Sequence, residues 1–239
     1  MEVYSTQRKL STYSVTNQML RNIEAYIIDK MPGIIPTSPG QHQLEESTTL
    51  LLSHPNGTDH FTPAGKYTQP LFDNDTENIA LEFKYHTGQP LSERQAIVIT
   101  IRFSSSSSDS DLAIALKANA AREKVMDLEQ GLLEKLEQHK NMNWIAYPND
   151  ITPTFVFVGG FLAFLFALMF DNPALKTLCI LLFAAAVYLV SHSFMKGYCS
   201  FDSKRQKMMN AIFKLTVSTI TLFIIVSVVT PLRKTLWGF

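Results

Sequence analysis

Cysteine is scarce in this chain, which has only two, Cys179 and Cys199, among 239 residues. Cys179 lies in an apolar run and Cys199 in a basic loop, so we expect two free thiols rather than a structural disulfide. Neither cysteine belongs to a CxxC motif or to a Cys/His cluster with zinc-ligand spacing. The sequence therefore predicts neither a disulfide framework nor a zinc site.

A surplus of either charge is also missing, because 21 Lys and Arg residues balance 21 Asp and Glu residues. Proteins that bind nucleic acid through its phosphates carry a basic patch, and binders of single strands add aromatic residues to it. No such basic and aromatic stripe occurs along the chain. Nucleic acid is therefore excluded as an expected partner.

Local catalytic signatures are absent as well, since the chain has no P-loop, GxGxxG, GxSxG or HExxH motif. His54, Asp59 and His60 fall in a predicted loop, but their spacing matches no zinc motif. The acidic residues at 73–77 lack the further ligands and the glycine of a calcium loop. We predict no catalytic residue, no metal ligand and no cofactor, and a non-enzymatic function is favoured over an enzymatic one.

Long apolar runs dominate the last part of the chain. A helix needs about 20 apolar residues to cross about 30 Å of hydrocarbon, and buried helices of soluble proteins normally keep a polar stripe. Three runs meet this length, at about 151–170, 175–195 and 213–232. The sequence therefore predicts a membrane domain of three transmembrane helices over 144–239, with the first two forming a hairpin.

A basic loop between the second and third runs predicts the orientation. It contains four cationic residues, Lys196, Lys204, Arg205 and Lys207, against one acid, Asp202. Basic loops stay on the cytoplasmic side, which places this loop and the N-terminal domain in the cytosol, at a plasma or inner membrane. Arg233 and Lys234 in the tail count against this orientation.

Two patterns within the apolar runs are candidates for function. Gly159, Ala163 and Ala167 repeat a small residue every fourth position, a spacing that lets helices pack closely. The third run has a hydroxyl-bearing face, which consists of four hydroxyl residues and one aromatic residue: Thr216, Thr219, Phe223, Ser227 and Thr230. This face either lines a pore or bonds to its own helix carbonyls and neighbouring helices, and the second interpretation is favoured.

The N-terminal part predicts a soluble α+β domain over 16–143, after a flexible N-terminus over 1–15. Apolar residues at helical spacing predict a helix over 16–31 and another over 119–140. Period-two alternation predicts strands over 79–86, 97–103 and 112–116, with a short fourth strand over 48–53. The expected fold is a helix, three to four antiparallel strands and a helix, followed by the membrane helices.

Three functions fit this architecture. The first is a signal-gated effector, in which the cytosolic domain senses a small-molecule or protein ligand and an oligomeric helix bundle forms a pore or disrupts the membrane. The alternative is a membrane-anchored assembly or scaffold subunit without conductance. The third, a membrane enzyme, has the least support. The expected partners are the lipid bilayer, further copies of the chain or subunits of a membrane complex, and the ligand.

Overall fold

The computed structural model describes most of the chain. It covers residues 1–36, 45–87, 94–106, 109–141, 143, 152–169, 172–195 and 197–225. The chain divides into two compact units. The first, here the sheet unit, comprises Met1–Met142 together with Tyr198–Lys204, and the second, the helical unit, comprises Asn143–Gly197 and Arg205–Phe239. The chain thus leaves the sheet unit after Met142, returns to it at Tyr198 and leaves it again after Lys204.

The described residues form eight strands, all in the sheet unit. They are β1 (Glu2–Lys9), β2 (Ser14–Val15), β3 (Glu45–His54), β4 (Gly57–Phe61), β5 (Asn78–His86), β6 (Ala96–Ser104), β7 (Asp111–Ala118) and β8 (Ser200–Phe201). Six of them form one sheet in the order β1-β7-β6-β5-β3-β4, and every neighbouring pair is antiparallel. The remaining two, β2 and β8, form a small parallel sheet.

Alternation along the central strands produces the core. On β5 the odd-numbered residues from Ile79 to Tyr85 are buried, and the residues between them are partly or fully exposed. Phe83 lies opposite Ile99 of β6, and Ile99 lies opposite Ile114 of β7, so buried side chains meet across three strands. One sheet face is therefore apolar, as the period-two pattern predicts.

Two helices contribute to the same core, α1 (Asn17–Ile34) and α2 (Ala121–Glu137). The side-chain oxygen of Thr16 caps α1 by accepting a 3.1 Å hydrogen bond from the backbone of Met19. The buried residues recur at helical spacing: Met19, Leu20, Ile23, Ile27 and Met31 on α1, and Val125, Leu128, Leu132 and Leu136 on α2. The fold of the sheet unit is an antiparallel sheet with two helices on its apolar face.

The expectation of three to four strands was too low, since the main sheet has six. β1 lies within the segment expected to be a flexible N-terminus, 1–15, and β4 lies in a segment expected to be a loop. Both are edge strands, and nearly all of their residues are exposed or half-buried. An edge strand without a buried side lacks the alternation that identifies a strand in sequence, so these two were missed.

The prediction of a three-helix membrane domain was wrong. The helical unit contains α3 (Thr152–Met169), α4 (Pro173–Met195) and α5 (Lys204–Ile224). Within the described residues, one segment, Leu175–His192, is long and apolar enough to cross a membrane. The predicted third span is not one apolar helix, because α5 begins inside the predicted basic loop and its first turn is cationic.

Candidate functional site

The connector between α4 and α5 is the most distinctive part of the sheet unit. We define the connector as residues Tyr198–Lys204, which belong to the sheet unit although the helices on either side of them belong to the helical unit. Its strand β8 pairs in parallel with β2, placing Ser200 opposite Ser14 and Phe201 opposite Val15. The two strands are 185 residues apart in sequence, so this pairing is a long-range tertiary contact.

Backbone hydrogen bonds tie four of the seven connector residues to other segments. The amides of Tyr198, Cys199, Ser200 and Asp202 donate to the carbonyls of Ser105, Ser104, Tyr13 and Val15 over 2.8, 3.1, 2.9 and 3.1 Å. The carbonyl of Asp202 accepts a fifth bond of 3.0 Å from the amide of Phe72. Buried amides and carbonyls need partners, and the connector obtains them from three separate segments of the sheet unit.

An aromatic cluster holds one end of the connector. The ring of Phe201 lies edge-on to Phe72, with centroids 6.4 Å apart. Phe72 stacks on Tyr67 at 5.7 Å, and Tyr67 lies edge-on to Phe61 at 5.1 Å. The Tyr67 hydroxyl donates a 2.8 Å hydrogen bond to the Leu71 carbonyl. Burial, with the nearby Asp73 carboxylate, raises the pKa of Tyr67 to about 12, so the cluster stays neutral at physiological pH.

A polar cluster holds the other end. The Cys199 side chain is 1% exposed, and its Sγ lies 3.6 Å from Oγ of Ser110. The same Ser110 Oγ accepts a 2.9 Å hydrogen bond from the amide of Ser104. Burial raises the pKa of the Cys199 thiol, which keeps it protonated. Because only a thiolate is nucleophilic, Cys199 packs the connector in place rather than performing chemistry.

Sequence analysis missed this site. The connector lies within the predicted basic loop, yet three of its residues are buried. A signal was present, since Cys199, Phe201 and Ser203 are buried and the residues between them are half-buried. That is a period-two strand pattern. The pattern has only three buried residues and lies between two helices. The charged residues beside it therefore dominated the interpretation of this segment as a basic loop.

The four predicted cationic loop residues are divided by the structure. Lys204, Arg205 and Lys207 lie exposed in the first turn of α5 rather than in a loop. Lys196 lies outside the described residues. The positive charge therefore directly follows the buried connector.

The hydroxyl-bearing face predicted on the third apolar run lies partly on α5. The Thr216 hydroxyl donates to the carbonyl of Ile212 at 3.1 Å, and the Thr219 hydroxyl donates to that of Leu215 at 3.0 Å. Each bond is to the residue four positions earlier, which is the pattern of a hydroxyl satisfied by its own helix. The side chain of Phe223, and Ser227 and Thr230 entirely, lie outside the described part of the chain.

The small residues predicted to pack helices lie on α3, where the closest approach involves their neighbour Gly160. A Cβ added to Gly160 would overlap the Cβ of Ala186 on α4, whereas one added to Gly159 would meet no atom within 4 Å. Ala163 is half-buried, and the side chain of Ala167 lies outside the described residues. This close α3–α4 contact thus lies at Gly160, one residue after Gly159 of the predicted stripe.

His54 lies between two carboxylates. His54 Nε2 lies 3.5 Å from Oδ2 of Asp59, and its Nδ1 lies 3.4 Å from Oδ1 of Asp75. These contacts link the β3–β4 hairpin to the turn before β5. Among the residues that the structure describes, no group of three or more His, Cys, Asp or Glu side chains could hold a metal ion.

A cleft of about 380 Å³ lies along α1 and the end of α2. Its apolar base is formed by Met19 and Ile23, and its rim carries polar and charged side chains: Asn22, Tyr26, Asp29, Lys135, Gln138 and His139. The Lys30 and Lys135 ammonium groups lie 5.8 and 5.9 Å from the centroid of the Tyr26 ring. Burial raises the pKa of the Tyr26 phenol, which therefore stays a neutral hydrogen-bond donor and acceptor.

Comparison with known proteins gives no assignment: no protein-family model matches the chain, and no curated protein matches it.

Proposed function

We propose that the protein is a membrane-anchored interaction protein, in which the sheet unit binds a partner or ligand, α4 is the anchor, and the connector passes the state of the sheet unit to α4 and α5. The observation that carries this proposal is the position of the connector. A segment that links two helices is built into the sheet unit by five backbone hydrogen bonds and two buried clusters. A simple tether would need none of these contacts.

Support for the anchor comes from the exposure of α4. In the apolar segment Leu175–His192, only 22% of the residues are buried. The core helix of a soluble protein would bury its apolar side chains, but Leu178 and Leu182 are 53% and 52% exposed. Exposed apolar surface of this extent is characteristic of contact with lipid or with another protein. The cationic start of α5 is consistent with a cytosolic membrane surface.

Support for coupling comes from chain connectivity. The chain enters the helical unit after Met142 and returns at Tyr198. The connector is held at both its aromatic and its polar end, and it follows α4 and precedes α5 along the chain. On α4, Tyr188 and His192 pack against Phe213 of α5, with ring centroids 5.4 and 5.5 Å apart. We therefore propose that a shift of the connector displaces this pair of packed helices. Such a physical connection is required for a change of state to pass from one site to another.

The interaction function is favoured over a pore. If the hydroxyl-bearing face lined a pore, its hydroxyls would form hydrogen bonds with the water in that pore. Thr216 and Thr219 instead satisfy their hydrogen bonds within α5. The cleft along α1 and α2, with its apolar base and polar rim, is the proposed binding site for a small molecule or peptide, because ligand sites combine these two features.

Vesicle flotation of the full chain tests the anchor. The wild-type chain, reconstituted into phosphatidylcholine vesicles, is expected to float with the lipid and to resist an alkaline carbonate wash. In the variant Leu178→Arg/Leu182→Arg, each arginine costs about 3 kcal/mol in the middle of a membrane helix. This variant should leave the vesicles in the wash.

The matched control places the same two charges on exposed apolar residues of the sheet unit, Val98→Arg/Met126→Arg. This variant is expected to float like the wild type. Retention of the α4 variant in washed vesicles, or loss of the control variant to the same extent, would remove the support for an anchor at α4.

A further inference from the structure

The strand β1 forms one edge of the main sheet and has an uninterrupted ladder on its inner side. Its pairing with β7 runs from Glu2 opposite Ala118 to Lys9 opposite Asp111 without a bulge. All eight residues take part, and none is proline or glycine. Within the described residues no strand pairs with its outer side. Such a long, regular edge is a ready template for a further strand.

The hydrogen-bond pattern identifies which backbone groups of β1 face outward. The ladder continues to Leu10, whose amide donates a 2.9 Å bond to the carbonyl of Ser110, the residue opposite it. In an antiparallel pair, hydrogen-bonded positions alternate with non-hydrogen-bonded ones. The even-numbered residues of β1 therefore bond to β7, and the amides and carbonyls of Val3, Ser5, Gln7 and Lys9 point away from the sheet.

The opposite edge of the sheet differs from β1. The edge strand β4 has five residues and lies between Pro55 and Pro63 in the sequence. Short edge strands and nearby prolines are the usual protection against pairing with another chain. The β1 edge has neither feature, so the two edges are not equivalent, and β1 is the one suited to strand addition.

We propose that β1 pairs with β1 of a second copy of this chain, antiparallel and about a two-fold axis at Ser5. Outward-facing groups must meet outward-facing groups, so odd-numbered residues pair with odd-numbered ones. Centred on Ser5, this register places Glu2 opposite Arg8 of the second copy, twice by symmetry. A register centred on Thr6 would instead place Glu2 opposite the apolar Leu10 of the second copy. Opposite charges across a strand pair are stabilising, which selects the Ser5 register.

The environment of Arg8 is compatible with this pairing. Its guanidinium already lies 3.4 Å from a carboxylate oxygen of Glu129 on α2, and its side chain remains 60% exposed. A guanidinium has five N–H donors, so Arg8 can bind Glu129 and Glu2 of the second copy together. The proposal concerns the sheet unit alone and does not depend on the membrane anchor.

Disulfide trapping tests the register. In a Cys179→Ala/Cys199→Ala background, Ser5→Cys places two thiols across the axis, where the Cα atoms of a hydrogen-bonded pair are about 5.5 Å apart. That separation suits a disulfide, and we expect the purified full chain in detergent to form covalent dimers under mild oxidation. Val3→Cys is the control, because two such residues would be four positions out of register, roughly 13 Å apart.

A second set of variants tests the interface without relying on oxidation. Ser5→Pro removes an outward amide while leaving the bonds to β7 intact, so it should convert a dimer into a folded monomer, as measured by light scattering and circular dichroism. Glu2→Arg should weaken the dimer at low salt, and Glu2→Arg/Arg8→Glu/Glu129→Gln, which also removes the carboxylate beside position 8, should restore it. A wild-type chain that is monomeric, or cross-linking of Ser5→Cys no faster than that of Val3→Cys, would overturn the proposal.

Discussion

The ring of Phe201 lies edge-on to the ring of Phe72, with centroids 6.4 Å apart and planes at 69°. Phe201 lies in the connector after α4, and Phe72 precedes β5, so this contact joins distant parts of the chain. Phe201 is 7% and Phe72 3% exposed. The contact has the geometry of a favourable aromatic pair, and it explains how a seven-residue linker becomes part of the sheet unit.

Phe201→Ala is expected to release the connector. Truncating a buried phenylalanine costs about 3–5 kcal/mol, and every 1.4 kcal/mol is tenfold in an equilibrium. The open population should therefore rise roughly 100-fold or more. The buried Cys199 thiol provides the measurement, because its labelling by a maleimide in a Cys179→Ala background reports opening. Val98→Ala, on the open sheet face, should leave the labelling rate unchanged; an unchanged rate for Phe201→Ala would contradict the docking.

Two adjacent glycines on α3 should respond differently to alanine. Gly160→Ala forces a Cβ into that of Ala186 and should destabilise the α3–α4 hairpin by about 1–3 kcal/mol, the usual cost of overpacking. Gly159→Ala meets open space and should be neutral, or stabilising by up to about 1 kcal/mol through helix propensity. Thermal unfolding of both variants in the same detergent makes the comparison, and equal midpoints would refute the α3–α4 contact.

The packing of α1 on α2 depends on Gly131, because a Cβ there would overlap the phenol of Tyr26. We expect Gly131→Ala to destabilise the sheet unit by about 1–3 kcal/mol. In a Tyr26→Ala background the obstacle is gone, and the same change should stabilise by up to about 1 kcal/mol. The reversal of sign, measured by chemical denaturation in a double-mutant cycle, is the expected result; the same sign in both backgrounds would argue against this contact.

Tyr67 should make the sheet unit sensitive to alkaline pH. Its folded pKa of about 12 lies above the ordinary value of 10.0, so the folded state binds the phenol proton more tightly than the unfolded state. The resulting stabilisation is complete below pH 10 and is lost as the pH rises to about 12.

Spectroscopic titration of phenolate provides the measurement. Subtracting the Tyr67→Phe titration from that of the wild type should leave one group titrating near pH 12. The variant also loses the hydrogen bond to the Leu71 carbonyl, worth about 1 kcal/mol. A difference curve centred at the ordinary tyrosine pKa would show that the Tyr67 phenol is not held in the aromatic cluster.

The sequence alone was sufficient to predict the helices and strands in which apolar residues recur at a regular spacing. The strands β5, β6 and β7 and the helices α1 and α2 were predicted because each buries one regular face, as Ile97, Ile99 and Ile101 do on β6. The edge strands β1 and β4 were missed because they have little to bury. Apolar composition alone predicted three spans, whereas one segment of the described residues is long and apolar enough to be one, because hydropathy does not fix where a helix such as α5 begins.

The connector could not have been predicted from local pattern. Its partners are residues 13–15, 72 and 104–110, which are distant in sequence, and its own alternation has only three buried residues, which is too short to identify a strand. The residues that the sequence indicated as candidates for function belong to apolar, hydroxyl-bearing or charged stretches in and around the predicted helices. The site that the fold assembles is instead built from short backbone segments and from Cys199 and Phe201.

The most direct test of the central claim is a disulfide between β2 and β8. The hydroxyl oxygens of Ser14 and Ser200 lie 3.2 Å apart, so Ser14→Cys/Ser200→Cys in a Cys179→Ala/Cys199→Ala background should oxidise within one chain. The bond can be read on a gel after proteolytic cleavage between the two sites, with each single-cysteine variant as the control. The account predicts nearly complete intramolecular cross-linking; fragments that separate without reductant would contradict the docking of the connector on the sheet unit.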